Sequence, residues 1–327
     1  MTSALKHPAF EPQLVLPGVV ETVEWTWAEE ETEHMQFVHA TVMKAEVVSA
    51  LAPREGVFVD ATVGGGGHSE AILQASPKVK LIAIDREPSA LEAARERLAP
   101  FGDRVTFVHA RFSGVEDLIQ SMDLEGVQGL CADLGVSSPQ IDDPSRGMSF
   151  RAEGPLDMRM DPSSGETALE LIERVDEEEL ADIIFHAGDE RRSRRIARSI
   201  KRAHRDRELA STLDLRRAIV RAVGPMRVGG IDPATRTFQA LRIALNDELG
   251  EIDRLLASLP RIVAPGGVAA IISFHSLEDR RAKQCFGDRT TWEPLTKKPM
   301  LATDAEREAN PRASSAKLRA ARRRPNP

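Results

Sequence analysis

A short apolar run that ends in a carboxylate and breaks into four consecutive glycines constrains this chain more than any other stretch. It reads Val57-Phe58-Val59-Asp60-Ala61-Thr62-Val63-Gly64-Gly65-Gly66-Gly67-His68-Ser69-Glu70. The β-branched and aromatic run predicts a strand. The glycines let the backbone turn sharply and come close to a ligand, and the residues after them can open a helix whose N–H groups face that ligand. A second strand, Lys80-Leu81-Ile82-Ala83-Ile84-Asp85, ends in another acid. It lies about 20 residues on, the spacing at which a nucleotide-binding βαβ unit sets an acid against a ribose diol. The unit predicts an adenosine-containing cofactor and leaves its identity open.

Residues 1–34 show no periodic pattern. Glu21, Glu24, Glu29, Glu30, Glu31 and Glu33 crowd around Trp25 and Trp27. The segment reads as a loosely ordered acidic extension, with a tryptophan-bearing docking arm as the alternative. From His39 to Leu51 the pattern turns helical, with Val42, Ala45 and Val48 at three-residue steps. His39 is then a cap or packing residue, or a neighbour of the active-site mouth. Glu87 to Leu98 is a second helix, with Pro88 in its first turn and Pro100 beyond its end. Val105 to His109 is a third strand. Phe112, just past it, can cover an adenine ring or serve as core. Val127 to Asp133 is a fourth strand, continuing as Leu134-Gly135-Val136-Ser137-Ser138-Pro139-Gln140. Three strands thus end in acids, Asp60, Asp85 and Asp133. Open parallel sheets bind ligands beyond the carboxyl ends of their strands.

From Asp142 to about Asn246 no strand pattern appears. A loop from Arg146 to Asp161 precedes short helices at Thr167–Val175 and Glu177–Phe185. Then comes Arg191-Arg192-Ser193-Arg194-Arg195-Ile196-Ala197-Arg198-Ser199-Ile200-Lys201-Arg202. Such a run is either a solvated helix face or a contact for RNA phosphates, and its lack of interleaved acids favours the second. The region reads as a helical domain inserted into a sheet domain. Phe238, Leu241, Leu245, Leu249, Ile252 and Leu256 then predict one long amphipathic helix closed by Pro260. Val268 to Ile272 is a further strand. Ser276 with Asp279 after it resembles a capping box, which is reason enough for that segment. A general-base role for the adjoining His275 is the sharper alternative. Arg322 to Arg324 reads as a basic tail.

Composition narrows the class. The chain has 327 residues, 41% of them hydrophobic, and a formal net charge of −7. That charge argues against indiscriminate coating of nucleic acid, which depends on phosphate neutralisation. No run approaches the ~18 apolar residues of a membrane span, and no secretory signal is present. Two cysteines, Cys131 and Cys285, make neither a disulfide framework nor a metal site. A cytoplasmic protein with Cys131 in the core is expected.

A nicotinamide dehydrogenase is the first rival, because a glycine-rich turn alone is a weak signal. The chain has 0 tyrosines, so no Tyr-Lys proton donor exists. The Asp133–Gln140 stretch also has no evident task in hydride transfer. It does have one in methyl transfer to an amino group. An acid and backbone carbonyls at the end of the fourth strand can accept hydrogen bonds from an exocyclic NH2 and aim its lone pair. S-adenosylmethionine fits the rest, with its carboxylate near the amides of the glycine turn, its ribose on Asp85 and its sulfonium favoured by acids.

With these residues assembled, the chain resembles the bacterial ribosomal RNA small subunit methyltransferase H family, also called MraW. The stretches that carry the resemblance are Asp60–Ser69, Ala83–Arg86, Asp133–Asp142, Arg146–Phe150, Gly154–Asp161, Ala234–Gln239, Ile272–Arg280, Asn310–Arg312 and Ala316–Arg319. They span the chain from about His39 to Arg319. The resemblance implies an enzyme that uses S-adenosylmethionine to N4-methylate a cytidine in the decoding centre (P site) of 16S rRNA, its partner within the small ribosomal subunit. It implies an α/β fold, a Rossmann-like methyltransferase sheet domain at 35–141 and 247–327 with an all-helical substrate-recognition domain inserted at 142–246. Carried over by position, Gly66, Gly67 and His68, with Gly65 beside them in the turn, should contact the cofactor. Asp85 should take its ribose and Phe112 its adenine, and Asp133 and Gln140 should complete the pocket, with Asp133 also catalytic. A non-catalytic RNA-binding or ribosome-assembly factor that keeps the fold is the competing class.

Overall fold

Strand order explains why a ligand site forms where the glycine turn lies. In the computed structural model, which describes residues 41–225 and 232–325 and Ser138 and Pro139 by backbone alone, the chain enters through α1 (Lys44–Leu51) and β1 (Glu55–Asp60). It continues through α2 (Gly67–Ala75), β2 (Lys78–Asp85), α3 (Pro88–Leu98), β3 (Val105–His109), α4 (Val115–Ser121) and β4 (Val127–Asp133). The extension through residue 34, Trp25, Trp27 and His39 lie outside the described residues. β2 and β3 stack on one side of β1 and β4 on the other, all parallel. The order therefore reverses at β1, and a crevice opens beyond its carboxyl end, the usual ligand site of such sheets.

Between β4 and the next strand the described residues form helices and one isolated bridge, Pro155 to Ser211. These helices are α5 (Ser138–Asp142), α6 (Ala168–Arg174), α7 (Glu177–Gly188), α8 (Ser193–Arg205), α9 (Thr212–Val223), α10 (Thr235–Asn246) and α11 (Glu248–Ile262). β5 (Val263–Ser273) then pairs parallel to β4. After α12 (Ser276–Cys285) come β6 (Trp292–Pro294), β7 (Met300–Leu301), α13 (Asp304–Ala309) and β8 (Lys317–Arg323). The sheet order is β3-β2-β1-β4-β5-β8-β6, with β7 on β8. β8 runs antiparallel to β5.

The parallel strands are apolar on both faces, as a sheet covered on both sides requires. On one face α1, α2 and α3 contribute Val47, Leu51, Ile72, Leu73, Leu91 and Leu98. Cys131 packs there and is 3% exposed, so its core assignment holds. On the other, Ile119 of α4 and Ile252, Leu255, Leu256 and Leu259 of α11 close the layer. Burying each such side chain contributes about 1.5–3 kcal/mol. The helices from α6 to α10 have an apolar cluster of their own, which includes Leu171, Ile184, Ile196, Ile200, Ile219 and Leu241. Among the described residues no helix is long and apolar enough to cross a membrane.

Three expectations need correction. The single long helix from Phe238 is two, because Asp247 takes a left-handed conformation with φ 50° and separates α10 from α11. Pro260 does not close α11, which runs on to Ile262. The carbonyl of Leu256, which proline leaves without its helical donor, faces the Cys285 thiol at 3.7 Å. Of the expected basic tail Arg322–Arg324, Arg322 and Arg323 lie in β8, paired with Val268 and Trp292, and Arg323 Nη1 donates to the Val263 carbonyl at 2.6 Å. The arginine run on α8 also finds acids, though not in its own sequence. Arg198 meets Glu177 at 3.1 Å and Arg202 meets Asp206 at 3.5 Å, while Arg195 donates to the Ala222 carbonyl.

Candidate active site

β1 does not stop at Asp60. Its ladder continues one residue at a time into both neighbours: Ala61 N–H donates to Cys131 of β4 and Val63 N–H to Ile84 of β2. The chain must then turn. Gly66 makes the turn at φ 78°, and a side chain there would meet Ala94 and Leu98 of α3 at 3.5 Å. The carbonyl of Gly65 accepts from Arg97 Nη1 at 2.9 Å. These two glycines therefore seat the turn on α3.

Beyond the turn lies a cavity of about 460 Å³, within the size range of small-molecule sites. Gly64, Gly67, His68, Asp85, Phe112, Asp133 and Gln140 line it. Gly65 and Gly66, expected against the cofactor, do not. A side chain at Gly67 would run into Thr41, so the backbone is bare there because the space is taken. Phe112 lines the cavity from a short 3-10 turn after β3, and it packs partly buried against the core beneath.

The three strand-end acids divide their work. Asp60 does not line the cavity. It is buried, Oδ2 accepting from Ser69 Oγ at 2.7 Å and Oδ1 from Thr62 N–H at 3.3 Å, and so it pins α2 to β1. Asp85 faces the cavity while Oδ2 accepts from Gly64 N–H at 2.9 Å and Oδ1 from Glu87 N–H at 3.0 Å. Each oxygen keeps a further lone pair, the capacity a diol needs. Burial raises the Asp85 pKa to about 6, although those N–H groups pull it down. Asp133 has an oxygen, Oδ1, that is buried without a hydrogen-bond partner among the described residues. Burial, then the charges of Asp60 and Glu278, push its carboxyl well above the usual range. An orphaned acceptor in a cavity wall is costly unless a ligand completes it.

His68 lines the cavity, yet its Nε2 lies 2.9 Å from the Val42 carbonyl. That acceptor assigns the proton to Nε2. Burial lowers the His68 pKa to about 4, so the ring stays neutral and ties the segment before α1 over the glycine turn. Gln140 is held at both ends. Its Oε1 accepts from Ser137 N–H at 2.9 Å and its Nε2 donates to Glu87 Oε2 at 2.6 Å. Glu87 Oε1 in turn accepts from Arg146 Nη1 at 2.6 Å, and Arg146 Nη2 reaches the Arg159 and Met160 carbonyls at 3.2 and 2.9 Å. One buried carboxylate thus joins the β4 loop to the Arg146–Asp161 loop.

Several lining residues were not singled out from sequence. Glu87 sits two positions after Asp85, a signal overlooked because it also opens α3. Arg242 and Glu248 form a buried pair with both oxygens engaged, at 2.7 and 2.9 Å, and the break at Asp247 that lets them meet has no sequence marker. Phe150 and Phe238 stand edge to face, centroids 5.0 Å apart, on the helical side of the cavity. The predicted capping box is displaced by one residue: His275 is the N-cap of α12 and Glu278, not Asp279, reaches back to it.

The site's parts suit S-adenosylmethionine. A bare glycine turn stands at a helix N-terminus, an acid with spare lone pairs ends β2, an aromatic follows β3, and an unsatisfied carboxyl oxygen ends β4. Comparison with known proteins agrees. Residues 36–324 match the model of the MraW methylase family. The chain is 63% identical over 286 residues to the ribosomal RNA small subunit methyltransferase H of Sorangium cellulosum, covering 87% of this chain and 90% of that one. It is 50% identical over 299 residues to the protein of the same name from Synechococcus sp. strain CC9311, covering 89% and 94%. With that of Methylobacterium nodulans it shares 45% over 306 residues, covering 87% and 90%.

Proposed function

The chain belongs to the MraW methylase family, and from that premise we propose that it N4-methylates a cytidine in the decoding centre (P site) of 16S rRNA. It is a methyltransferase dependent on S-adenosylmethionine, which supplies an electrophilic methyl group. The protein's part is to bind, orient and exclude water. The proposed binding set is Gly67, His68, Asp85, Phe112, Asp133 and Gln140, with Gly65 and Gly66 shaping the turn behind it. Asp85 takes the ribose diol on its two free lone pairs. Gln140 cannot rotate away, because Glu87 and Ser137 hold it.

The orphaned Oδ1 of Asp133 is the observation that carries the reading. There it accepts from the exocyclic amine of the cytosine and fixes the direction of the nitrogen lone pair. Positioning of this kind accounts for much of the rate of such reactions. Residues 142–246 are proposed as the substrate-recognition domain, with the basic face of α8 toward the RNA. The ion pairs there are exposed, so they are individually weak and can yield to phosphate. The site of action is proposed to be the cytoplasm, on the small ribosomal subunit.

Mass spectrometry of 16S rRNA from cells with and without the protein tests this. The decoding-centre cytidine should lack its N4-methyl group in the deletion and regain it on complementation. An identical modification pattern in both strains would refute the assignment.

A further inference from the structure

At the carboxyl end of β5 the cavity has a second buried polar group that the cofactor assignments leave unused. Ile272 of β5 pairs in register with Asp133 of β4, so the two strand tips stand side by side. Phe274 and His275 follow β5, and both line the cavity. Glu278, in the first turn of α12, is completely buried. Its Oε2 accepts from the N–H groups of Phe274 and His275 at 2.7 and 3.2 Å. Its Oε1 lies 3.1 Å from His275 Nε2. Burial alone would raise the Glu278 carboxyl, but bonding to His275, the Phe274 N–H and the Arg242 charge hold it below the usual range. Glu278 is thus a fixed anion.

A carboxylate beside one ring nitrogen keeps the proton on that nitrogen and leaves the other as a lone pair. Among the described residues neither ring nitrogen of His275 makes a well-formed hydrogen bond: Nδ1 has no partner, and Nε2 has Glu278 Oε1 beside it at 3.1 Å. Charged residues that line the same cavity include Asp133 of β4, Arg242 of α10, Glu248 of α11 and Glu278 of α12, with Arg86, Glu87, Arg151, Glu251 and Arg312 also on its wall. Donor atoms of Glu248, His275 and Glu278 fall within 4.8 Å of one another, a spacing a metal would accept. Yet both Glu248 oxygens are committed to Arg242, which already provides the cluster's cation. What remains is one unpartnered base, oriented by a buried carboxylate and next to the acid assigned to the acceptor amine.

We propose that His275 Nδ1 receives the proton that the acceptor amine loses on methylation, with Glu278 as its positioning residue. This rests on the methyl-transfer reading above. In the step, the amine lone pair forms the new N–C bond while the C–S bond breaks and its electron pair stays on sulfur. The electrons of one N–H bond return to nitrogen as that proton passes to Nδ1. The imidazolium is stabilised by Glu278 and releases its proton to solvent through the cavity mouth. Orientation of an imidazole by a buried carboxylate is the logic of hydrolytic triads, applied to a different proton.

The full-length protein is assayed with S-adenosylmethionine and unmethylated small ribosomal subunits, as wild type, His275→Asn and His275→Gln. Asparagine is a favoured N-cap residue for α12, and glutamine approximates the ring's reach. Both variants should lose turnover by about 10²-fold, the usual worth of a general base. The KM for subunits and the calorimetric affinity for S-adenosylmethionine should stay within about two-fold, since neither contact is removed. Ring nitrogen NMR of the wild type should show the Nε2–H tautomer. Variants with wild-type kcat, or a wild-type ring that carries its proton on Nδ1, would overturn the proposal alone. A wild type that methylates no rRNA would overturn the methyl-transfer reading and this proposal with it.

Discussion

Titrating the cofactor against the wild-type protein between about pH 7.5 and pH 5 tests the ribose assignment of Asp85. Burial raises this carboxyl from 3.8 to about 6, against the pull of the Glu87 and Gly64 N–H groups and with help from the Glu87 and Asp60 charges. Only the ionised form offers lone pairs to both hydroxyls of a diol while keeping its two backbone donors. Affinity is therefore full above about pH 6 and lost below it. The apparent Kd scales as one plus the ratio of protonated to ionised carboxyl. Near pH 7.5 it sits at its floor, near pH 6 it doubles, and near pH 5 it is about tenfold higher, or ~1.4 kcal/mol. Asp85→Asn supplies the control. It should bind about ten- to a hundredfold more weakly at pH 7.5, the 1.5–3 kcal/mol of a hydrogen bond to a charged group. Its affinity should then fall less steeply than that of the wild type down to pH 5, with only the proton released by Asp133 left to act. Isothermal titration calorimetry reads both, with circular dichroism to confirm that the protein stays folded. A wild-type affinity that is flat over this range, or a variant with the same slope, would show that Asp85 does not hold the ribose.

Asp133→Ala should cut kcat by about 10²-fold or more, as loss of a preorganised group acting on the reacting atoms does, while changing cofactor affinity far less. Equal losses in single-turnover and calorimetric measurements would reduce Asp133 to a pocket wall. Burial and the Asp60 and Glu278 charges favour the protonated form of Asp133, and a sulfonium beside it favours the ionised form. Cofactor binding should therefore release protons. Binding enthalpies in phosphate and Tris buffers should differ for the wild type and coincide for Asp133→Asn. Burial lowers His68 from 6.5 to about 4, so its contribution to stability is complete above about pH 6.5 and is lost as pH falls toward 4. Between about pH 7 and pH 5 this amounts to ~2 kcal/mol. His68→Gln can still donate to the Val42 carbonyl and should show a shallower loss in urea denaturation. An unchanged slope would count against burial of the neutral ring.

The central parallel strands announce themselves in this sequence because the carboxyl-terminal halves of β1, β2 and β4 are largely buried and apolar up to their final acids. Val57–Asp60, Leu81–Asp85 and Leu130–Asp133 were legible for that reason, and the glycines placed the turn. What was not legible depends on partners distant in the chain. Nothing local shows that Asp247 adopts φ 50°; the apolar period of the α10–α11 region runs through the break undisturbed. Pro260 looks like a stop because the rule for proline concerns its own missing N–H. The compensating thiol of Cys285 arrives from another helix. Arg322 to Arg324 read as a tail because the arginines suggested solvent, whereas Arg322 and Arg323 pair within the sheet and Arg323 donates to the Val263 carbonyl.

The site shows the same division more sharply. Sequence spacing can place acids at strand ends, because a strand fixes where its last residue lies. It cannot say which way each carboxylate turns, and that choice separates their roles. Asp60 turns inward because Ser69, at the start of α2, supplies a buried donor at 2.7 Å. Asp85 turns to the cavity because the glycine turn itself offers an N–H on the near side. Asp133 has no such donor for Oδ1, so that oxygen stays unsatisfied. The three residues have the same chemistry and the same position relative to their strands. A donor contributed from elsewhere is what removes Asp60 from the site, and its absence at Asp133 is what leaves an acceptor for the substrate amine. By the same reasoning Glu278 escaped notice, although His275 beside it stood as a candidate general base. The capping pattern from Ser276 to Asp279 accounted for the segment locally, and only the register of β5 on β4 brings that helix start beside Asp133.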